Sequence, residues 1–217
     1  MTGDEPAPQP ECTDIAAGVA RTVAEGSAEV VVLLEYSFPG ETADDALPAE
    51  MSSQYRGVVD FRSDRASLTD ASTSLILDGS VTYQKMPDGV WTHTRHAQRA
   101  GHWTPTHPRW ALEVLRQGCR SAAPDGEPNV VELDRDRAAD VTHPGLNPDW
   151  KLRARTAFDD DGRLRRVEIM MAGSASPDTS MRTTVEFARF DQAAVQIDLP
   201  LESVDLTGYF DALTLEQ

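Results

Sequence analysis

The side chains best suited to chemistry in this sequence are histidines. Four of the five histidines lie between positions 93 and 107. Three tryptophans lie within or beside that segment: Trp91, Trp103 and Trp110. An imidazole titrates near neutral pH, so it can donate a hydrogen bond or act as a general base. His93 and His96, with the hydroxyl of Tyr83, are therefore the candidate catalytic residues; the alternative for the histidines is a solvated loop.

The spacing of these residues does not predict a metal centre, and no cofactor is expected. His93 and His96 would converge on a helix, but a strand end and a loop are expected there, and no third ligand is suitably spaced. The run Asp159-Asp160-Asp161-Gly162 lacks the ligand spacing and distal Glu of a calcium loop, so it predicts a hairpin turn. The sequence has neither a Gly-x-Ser-x-Gly elbow nor a Gly-rich phosphate loop, which argues against nucleotide-dependent catalysis.

Four arginines predict a basic stripe on neighbouring strands: Arg153, Arg155, Arg165 and Arg166. Such a stripe is one way to hold the acidic head group of a ligand. The alternative is a solvated strand face on which the arginines pair with Glu168 and Glu186 across strands.

The composition is that of a strongly acidic chain with enough apolar residues for one core. The 217 residues carry a formal net charge of -16, and 40% of them are hydrophobic. This charge argues against nucleic acid as a partner and against adsorption to an anionic membrane surface. No apolar run is long enough to span a bilayer. We expect a disordered, Pro-rich leader over residues 1–11 and one domain over residues 12–217.

The sequence leaves the compartment open. The first ten residues have neither the basic segment nor the apolar core of a signal peptide. We expect a cytoplasmic protein if Met1 is the native start, and an extracytoplasmic protein if a signal has been removed. Cys12 and Cys119 are compatible with a disulfide in an oxidising compartment or with two thiols in a reducing one.

Two helices are predicted from apolar spacing and end signals. The first has apolar residues at positions 15, 19 and 23, with Thr13 or Asp14 as its N-cap and Gly26 as its stop. The second spans residues 108–117, with Pro108 at its first position and Gly118 at its end.

Much of the remaining chain alternates apolar and polar residues in short runs, which predicts β-strands. The predicted strands are 28–38, 54–62, 66–69, 74–77, 81–85, 90–95, 129–133, 150–158, 164–171 and 181–187. Asp-Gly pairs between several of them predict hairpin turns. One helical turn within 134–149 and a short element near 206–213 are also expected. The pattern predicts a mainly β (α+β) fold: a single curved antiparallel sheet forming a half-open barrel, with two or three helices plugging it.

The order of these segments resembles the LolA-like and LppX-like family of bacterial lipoprotein carriers over roughly residues 14–200. The segments that carry the resemblance are residues 55–61 (YRGVVDF), 79–83 (GSVTY) with Val90-Trp91, Pro108 with Leu112 and Leu115, 158–167 (FDDDGRLRRV) and 183–187 (TTVEF). The resemblance implies a half-open barrel that shelters acyl chains against its helices. It therefore implies a lipid or another hydrophobic small molecule as the ligand.

The apolar strand faces predict which side chains line the cavity. They are Val32, Leu34, Tyr36, Tyr55, Val59, Phe61, Tyr83, Trp91, Trp103, Leu152, Ile169, Met171, Val185 and Phe187. Binding or carriage of a hydrophobic ligand is the first hypothesis. The second is a cavity-confined enzyme, of cyclase or isomerase type, acting on a hydrophobic metabolite. A third is a module that binds a partner at the open edge of the sheet.

Overall fold

The computed structural model shows one sheet with helices packed on one side of it. It describes residues 11–37, 50–95, 104–122, 127, 129–138, 150–173, 179–191 and 195–207. The helices are α1 (Cys12–Ala24), α2 (Pro108–Gly118) and α3 (Arg135–Ala138). Within the described ranges, no helix is long and apolar enough to cross a membrane.

The helix starts follow local capping chemistry. The Asp14 carboxylate accepts a hydrogen bond from the Glu11 amide at 3.2 Å, and Glu11 is the N-cap of α1. The predicted N-cap at Thr13 or Asp14 is therefore wrong, because Asp14 caps from inside the first turn. His107 is the N-cap of α2 and Pro108 follows it, as suits a residue without an amide proton.

The strands of the described residues form one twelve-stranded sheet whose strand order does not close on itself. They are β1 (Ser27–Ser37), β2 (Glu50–Asp60), β3 (Arg65–Thr69), β4 (Ser74–Asp78), β5 (Val81–Lys85), β6 (Trp91–Arg95), β7 (Cys119–Ala122), β8 (Val130–Leu133), β9 (Trp150–Phe158), β10 (Leu164–Gly173), β11 (Ser180–Ala188) and β12 (Val204–Asp205). Their order is β12-β6-β5-β4-β3-β2-β1-β11-β10-β9-β8-β7, antiparallel except for the parallel pair of β12 with β6. The predicted mainly β class is confirmed.

Two meanders make up this sheet, β1–β6 and β7–β11, and β1 joins them by pairing with β11. Most strand starts and ends lie close to the predicted ones. The strands β7 and β12 were not predicted, and β12 lies just before the expected element near 206–213. The predicted helical turn within 134–149 is α3, which ends at residue 138.

Alternating side chains give the sheet two different faces. Val30, Val32 and Leu34 of β1 are buried, whereas Val31 and Leu33 between them are only partly covered. We call the face of Val32 the inner face, because its residues share one core cluster with apolar residues of α1 and α2. The opposite face is the outer face.

The backbones of β2 and β3 approach each other closely at Gly57. A Cβ atom placed on this residue would lie 1.9 Å from the carbonyl oxygen of Ser67 on β3. Only glycine allows the backbones of β2 and β3 to approach so closely.

The helices that cover the inner face are fixed to it and to each other. A disulfide joins Cys12 at the start of α1 to Cys119 directly after α2, across a sequence separation of 107 residues. The Thr22 hydroxyl of α1 accepts a hydrogen bond from the Leu164 amide of β10 at 2.8 Å. The pairing of the two cysteines, which the sequence left open, is therefore present.

Candidate functional site

The inner face carries most of the residues predicted to line a ligand cavity. Nine of them are buried, none more than 6% exposed. They are Val32 and Leu34 of β1, Val59 of β2, Phe61 after it, Leu152 of β9, Ile169 and Met171 of β10, and Val185 and Phe187 of β11. The strand register places them in neighbouring rows of one apolar surface. The structure therefore brings these nine residues together beneath the helices.

This apolar surface continues to one end of the inner face. Tyr36 pairs with Met51 on β2 and with Met181 on β11, and these three residues, with Tyr55 and Trp150, form what we call the open end. Met51 is 42% exposed, and the other four side chains are half-buried. Burial, and secondly the neighbouring Tyr55, raise the pKa of Tyr36, so its hydroxyl stays protonated at neutral pH. The open end is thus a neutral apolar surface that water can reach.

A polar group without a partner lies one row inside the open end. Thr183 of β11 is 0% exposed, and among the described residues its hydroxyl has no hydrogen-bond partner. Its ladder neighbours on the same face are Leu34 and Ile169. A buried hydroxyl in this state costs about 1–3 kcal/mol. A ligand oxygen at this position would remove that cost.

Three predicted residues lie on the outer face instead. Tyr83 pairs with Ile76, which lies between the two buried leucines of β4 and so points away from the inner face. Tyr83 also pairs with His93, and Trp91 shares the face of His93 two residues along β6. Two further predicted residues, His96 and Trp103, lie outside the described residues. The structure therefore does not bring Tyr83, Trp91 or His93 to the apolar surface described above.

His93 belongs to a polar cluster with the segment near β12. Its Nδ1 lies 2.9 Å from the Ser203 hydroxyl, and its Nε2 lies 3.4 Å from an Asp205 carboxylate oxygen. Hydrogen bonds from the Thr207 hydroxyl and amide lower the pKa of Asp205, and the charge of His93 acts in the same direction. The ring of Tyr83 lies with its centroid 5.6 Å from that of His93. The cluster combines a hydroxyl, an imidazole and a carboxylate.

Two further hydrogen bonds attach residues 195–207 to the sheet. Arg65 of β3 donates to the Ile197 carbonyl at 3.3 Å, and the Leu206 amide donates to the His93 carbonyl at 2.8 Å. The cluster therefore helps to hold this segment against the sheet edge. Ser203 and Asp205 were missed from the sequence, because two polar residues in an acidic tail carry no signal of their partner 110 positions away.

His107 has a structural role in the core. It is 0% exposed, and its Nδ1 accepts a hydrogen bond from the Arg109 amide at 3.1 Å, which caps α2. Burial lowers the pKa of His107 to about 3, although a hydrogen bond with the Asp64 backbone opposes this, and the charge of Arg109 lowers it further. The imidazole is therefore neutral at physiological pH, as its capping role requires.

Two of the four arginines in the predicted basic stripe, Arg155 and Arg166, pair with acidic residues. Glu168 of β10 is on the outer face yet only 3% exposed, because arginines cover it. Arg182, Arg166 and Arg155 approach its carboxylate at 3.3, 3.6 and 3.7 Å. Arg166 also pairs with Glu186 at 3.3 Å. The alternative of a strand face with cross-strand ion pairs therefore describes Arg155 and Arg166.

The acidic run 159–162 forms a turn. The Gly162 amide donates to the Asp159 carbonyl at 2.9 Å, and Arg163 binds the Asp159 carboxylate at 2.8 Å. The predicted hairpin between β9 and β10 is confirmed. In the described parts of the chain, no group of three or more His, Cys, Asp or Glu side chains is placed to hold a metal ion.

No protein-family model matches this chain. No curated protein matches it either.

Proposed function

We propose that the protein binds a hydrophobic small molecule or lipid against the inner face, within a half-open barrel plugged by α1 and α2. The observation that carries this proposal is the open end. There the apolar surface of the inner face continues to the half-buried Tyr36 and Met181 and to Met51, which is 42% exposed. Burial of an alkyl chain contributes about 0.8 kcal/mol per methylene, so such a surface binds tightly without a charged motif.

Two further observations agree with this proposal. The unpartnered hydroxyl of Thr183 provides a hydrogen-bond donor close to the open end. Met51 and Met181 have flexible, polarisable side chains that adapt to ligands of different shape. The resemblance to lipoprotein carriers leads to the same class of ligand.

Organic extraction of the purified protein followed by mass spectrometry tests whether a ligand copurifies. Titration with the neutral fluorescent probe phenylnaphthylamine then measures binding directly. We expect Leu34→Glu to weaken probe binding at least about tenfold, because a carboxylate would enter the apolar surface. The matched control is Leu33→Glu on the outer face of the same strand, which should bind as the wild type does.

A second variant covers the case in which Leu34→Glu does not fold. Met181→Gln at the half-buried open end should also weaken binding while the far-ultraviolet circular dichroism spectrum stays that of the wild type. Wild-type binding by both folded variants, or no binding of the probe by the wild type, would contradict the proposal.

An enzyme is the second candidate, and the contact of Ser203 with His93 is the observation that favours it. An imidazole that accepts the proton of a serine hydroxyl activates it as a nucleophile. This chemistry would take place on the outer face and not at the inner face, where the sequence predicted it. Labelling by a fluorophosphonate that is lost in Ser203→Ala and in His93→Ala would support it, and absence of labelling in the wild type would exclude a reactive serine.

We also propose that the protein works in an oxidising, extracytoplasmic compartment. The disulfide between Cys12 and Cys119 supports this location, since such bonds persist outside the reducing cytosol. Thiol alkylation of protein in freshly lysed native cells, followed by mass spectrometry, tests it. Two alkylated cysteines would place the protein in the cytosol instead.

A further inference from the structure

The outer face contains a groove that the proposed hydrophobic site does not use. The groove has a volume of about 710 Å³ and crosses β2, β1, β11 and β10. Its apolar floor includes Val31, Val58 and Ala188. A volume of this order suits a small molecule. These side chains point away from the inner face, so the two surfaces are separated by the sheet itself.

An irregularity in β10 directs two arginines to this groove. The pairing of β10 with β9 shifts between Leu164 and Arg166, which is the signature of a β-bulge. Leu164 is buried, and the next two residues, Arg165 and Arg166, are both exposed and both line the groove. A regular strand would have sent one of these two arginines to the inner face.

The charges of the groove do not cancel. Arg166 pairs with Glu186 at 3.3 Å, and Glu29 pairs with Arg189 at 3.0 Å. Within the described chain, no carboxylate forms an ion pair with the other two arginines of the groove. These are Arg56 of β2 and Arg165 of β10. The guanidinium carbon of Arg165 lies 5.8 Å from the centre of the Phe190 ring.

We propose that this groove binds a small amphipathic anion: a carboxylate, sulfonate or phosphate attached to a compact apolar body. Arg56 and Arg165 would bind the anionic oxygens, because a guanidinium forms paired, charge-assisted hydrogen bonds with such groups. Val31 and Val58 would contact the apolar body. The groove thus combines an apolar floor with two guanidinium groups that no carboxylate of the described residues neutralises, in a chain of net charge -16.

Two probes that differ only in charge test the proposal. Anilinonaphthalene sulfonate carries the anion, and phenylnaphthylamine has the same aromatic body without it. Both are titrated into the wild type, into the double variant Arg56→Gln with Arg165→Gln, and into a control with the same change in charge. That control is Lys85→Gln with Lys151→Gln, which alters two exposed lysines outside the groove.

We expect the arginine variant to bind the sulfonate about tenfold more weakly or worse, and the neutral probe as the wild type does. The lysine control should keep most of its affinity for both probes, and added salt should weaken only the binding of the sulfonate. These variants change exposed residues, so loss of folding is not expected, and circular dichroism checks it.

The proposal would be overturned by unchanged binding of the sulfonate to the arginine variant, by an equal loss in the lysine control, or by no binding of the sulfonate to the wild type. Loss of the neutral probe together with the sulfonate would also overturn it, because both would then occupy one site. Failure of the neutral probe to bind the wild type, with the sulfonate still bound through the arginines, would contradict the inner-face proposal alone.

Discussion

The inner and outer faces of this sheet are built from the same strands but behave differently. On β1, Val30, Val32 and Leu34 belong to one continuous core, whereas Glu29 and Glu35 on the other face form ion pairs with arginines. The inner face is stabilised by burial, and the outer face by charge pairs that remain close to water. Because successive side chains along a strand point to opposite faces, one sheet can carry an apolar surface on one face and a charged surface on the other.

The largest effect is expected from removing the disulfide that fixes the helices over the inner face. Cys12→Ser with Cys119→Ser should lower the free energy of unfolding by about 4 kcal/mol, because the bond closes a long loop in the unfolded chain. Urea denaturation measures it. Reduction of the wild type should reproduce the loss and leave the variant unchanged. Binding of the sulfonate probe to the outer groove should survive, and its disappearance would show that the faces are coupled.

Replacing Gly57 should disturb both faces at once, since this residue allows the backbones of β2 and β3 to approach closely. Gly57→Ala should cost about 3 kcal/mol, because its Cβ would overlap the Ser67 carbonyl oxygen. Gly89→Asn is the control, since no atom lies within 4 Å of a Cβ there and Asn tolerates its positive φ. Equal unfolding midpoints for Gly57→Ala and Gly89→Asn would mean that β2 and β3 can move apart without a loss of stability.

The buried His107 should make the inner side sensitive to acid. Its folded pKa of about 3 lies below the ordinary 6.5, so as the pH falls below 6.5 the unfolded chain takes up the proton first. Stability should decrease by about 1.4 kcal/mol for each pH unit between the two values. His107→Asn keeps a capping acceptor for the Arg109 amide and removes the titration. The free energy of unfolding, measured by denaturation at several pH values, should therefore depend less steeply on pH in the variant than in the wild type. An identical pH dependence in both proteins would contradict a buried, neutral imidazole.

The smallest effect concerns the unpartnered hydroxyl near the open end. Thr183→Val should stabilise the ligand-free protein by about 1 kcal/mol, because it replaces a buried unpartnered hydroxyl with a methyl group of similar size. Differential scanning calorimetry compares it with Thr69→Val on the outer face, where no gain is expected because the Thr69 hydroxyl is exposed. A loss of stability in Thr183→Val would show that the hydroxyl has a partner.

The alternating pattern predicted the inner face well where strands are long. Val32, Leu34, Ile169 and Val185 each lie in runs of nine or more strand residues, and the burial of one residue of each run fixes the face of the others. The Asp-Gly turn at residues 161–162 was equally clear, because its backbone conformation favours glycine. Both patterns involve residues that are close in sequence, so they can be recognised from one sequence alone.

Short strands and distant partners were harder to predict. The strand β5 has only five residues, with Tyr83 at its centre. The sequence of so short a strand does not show which face Tyr83 occupies. Its pairing with Ile76 on β4 does. The groove on the outer face depends on a bulge between Leu164 and Arg166 that alternation alone does not reveal. The disulfide likewise depends on α1 and α2 lying side by side, which no residue near Cys12 encodes.

The seam between β1 and β11 has a consequence for how the chain folds. It joins residues about 150 positions apart, whereas the strands of each meander pair with their neighbours in sequence. We therefore expect the two meanders to form before the seam closes. Until it closes, the edges of β1 and β11 are available to other chains, and such edges promote aggregation. The yield of refolded protein should therefore fall as its concentration rises.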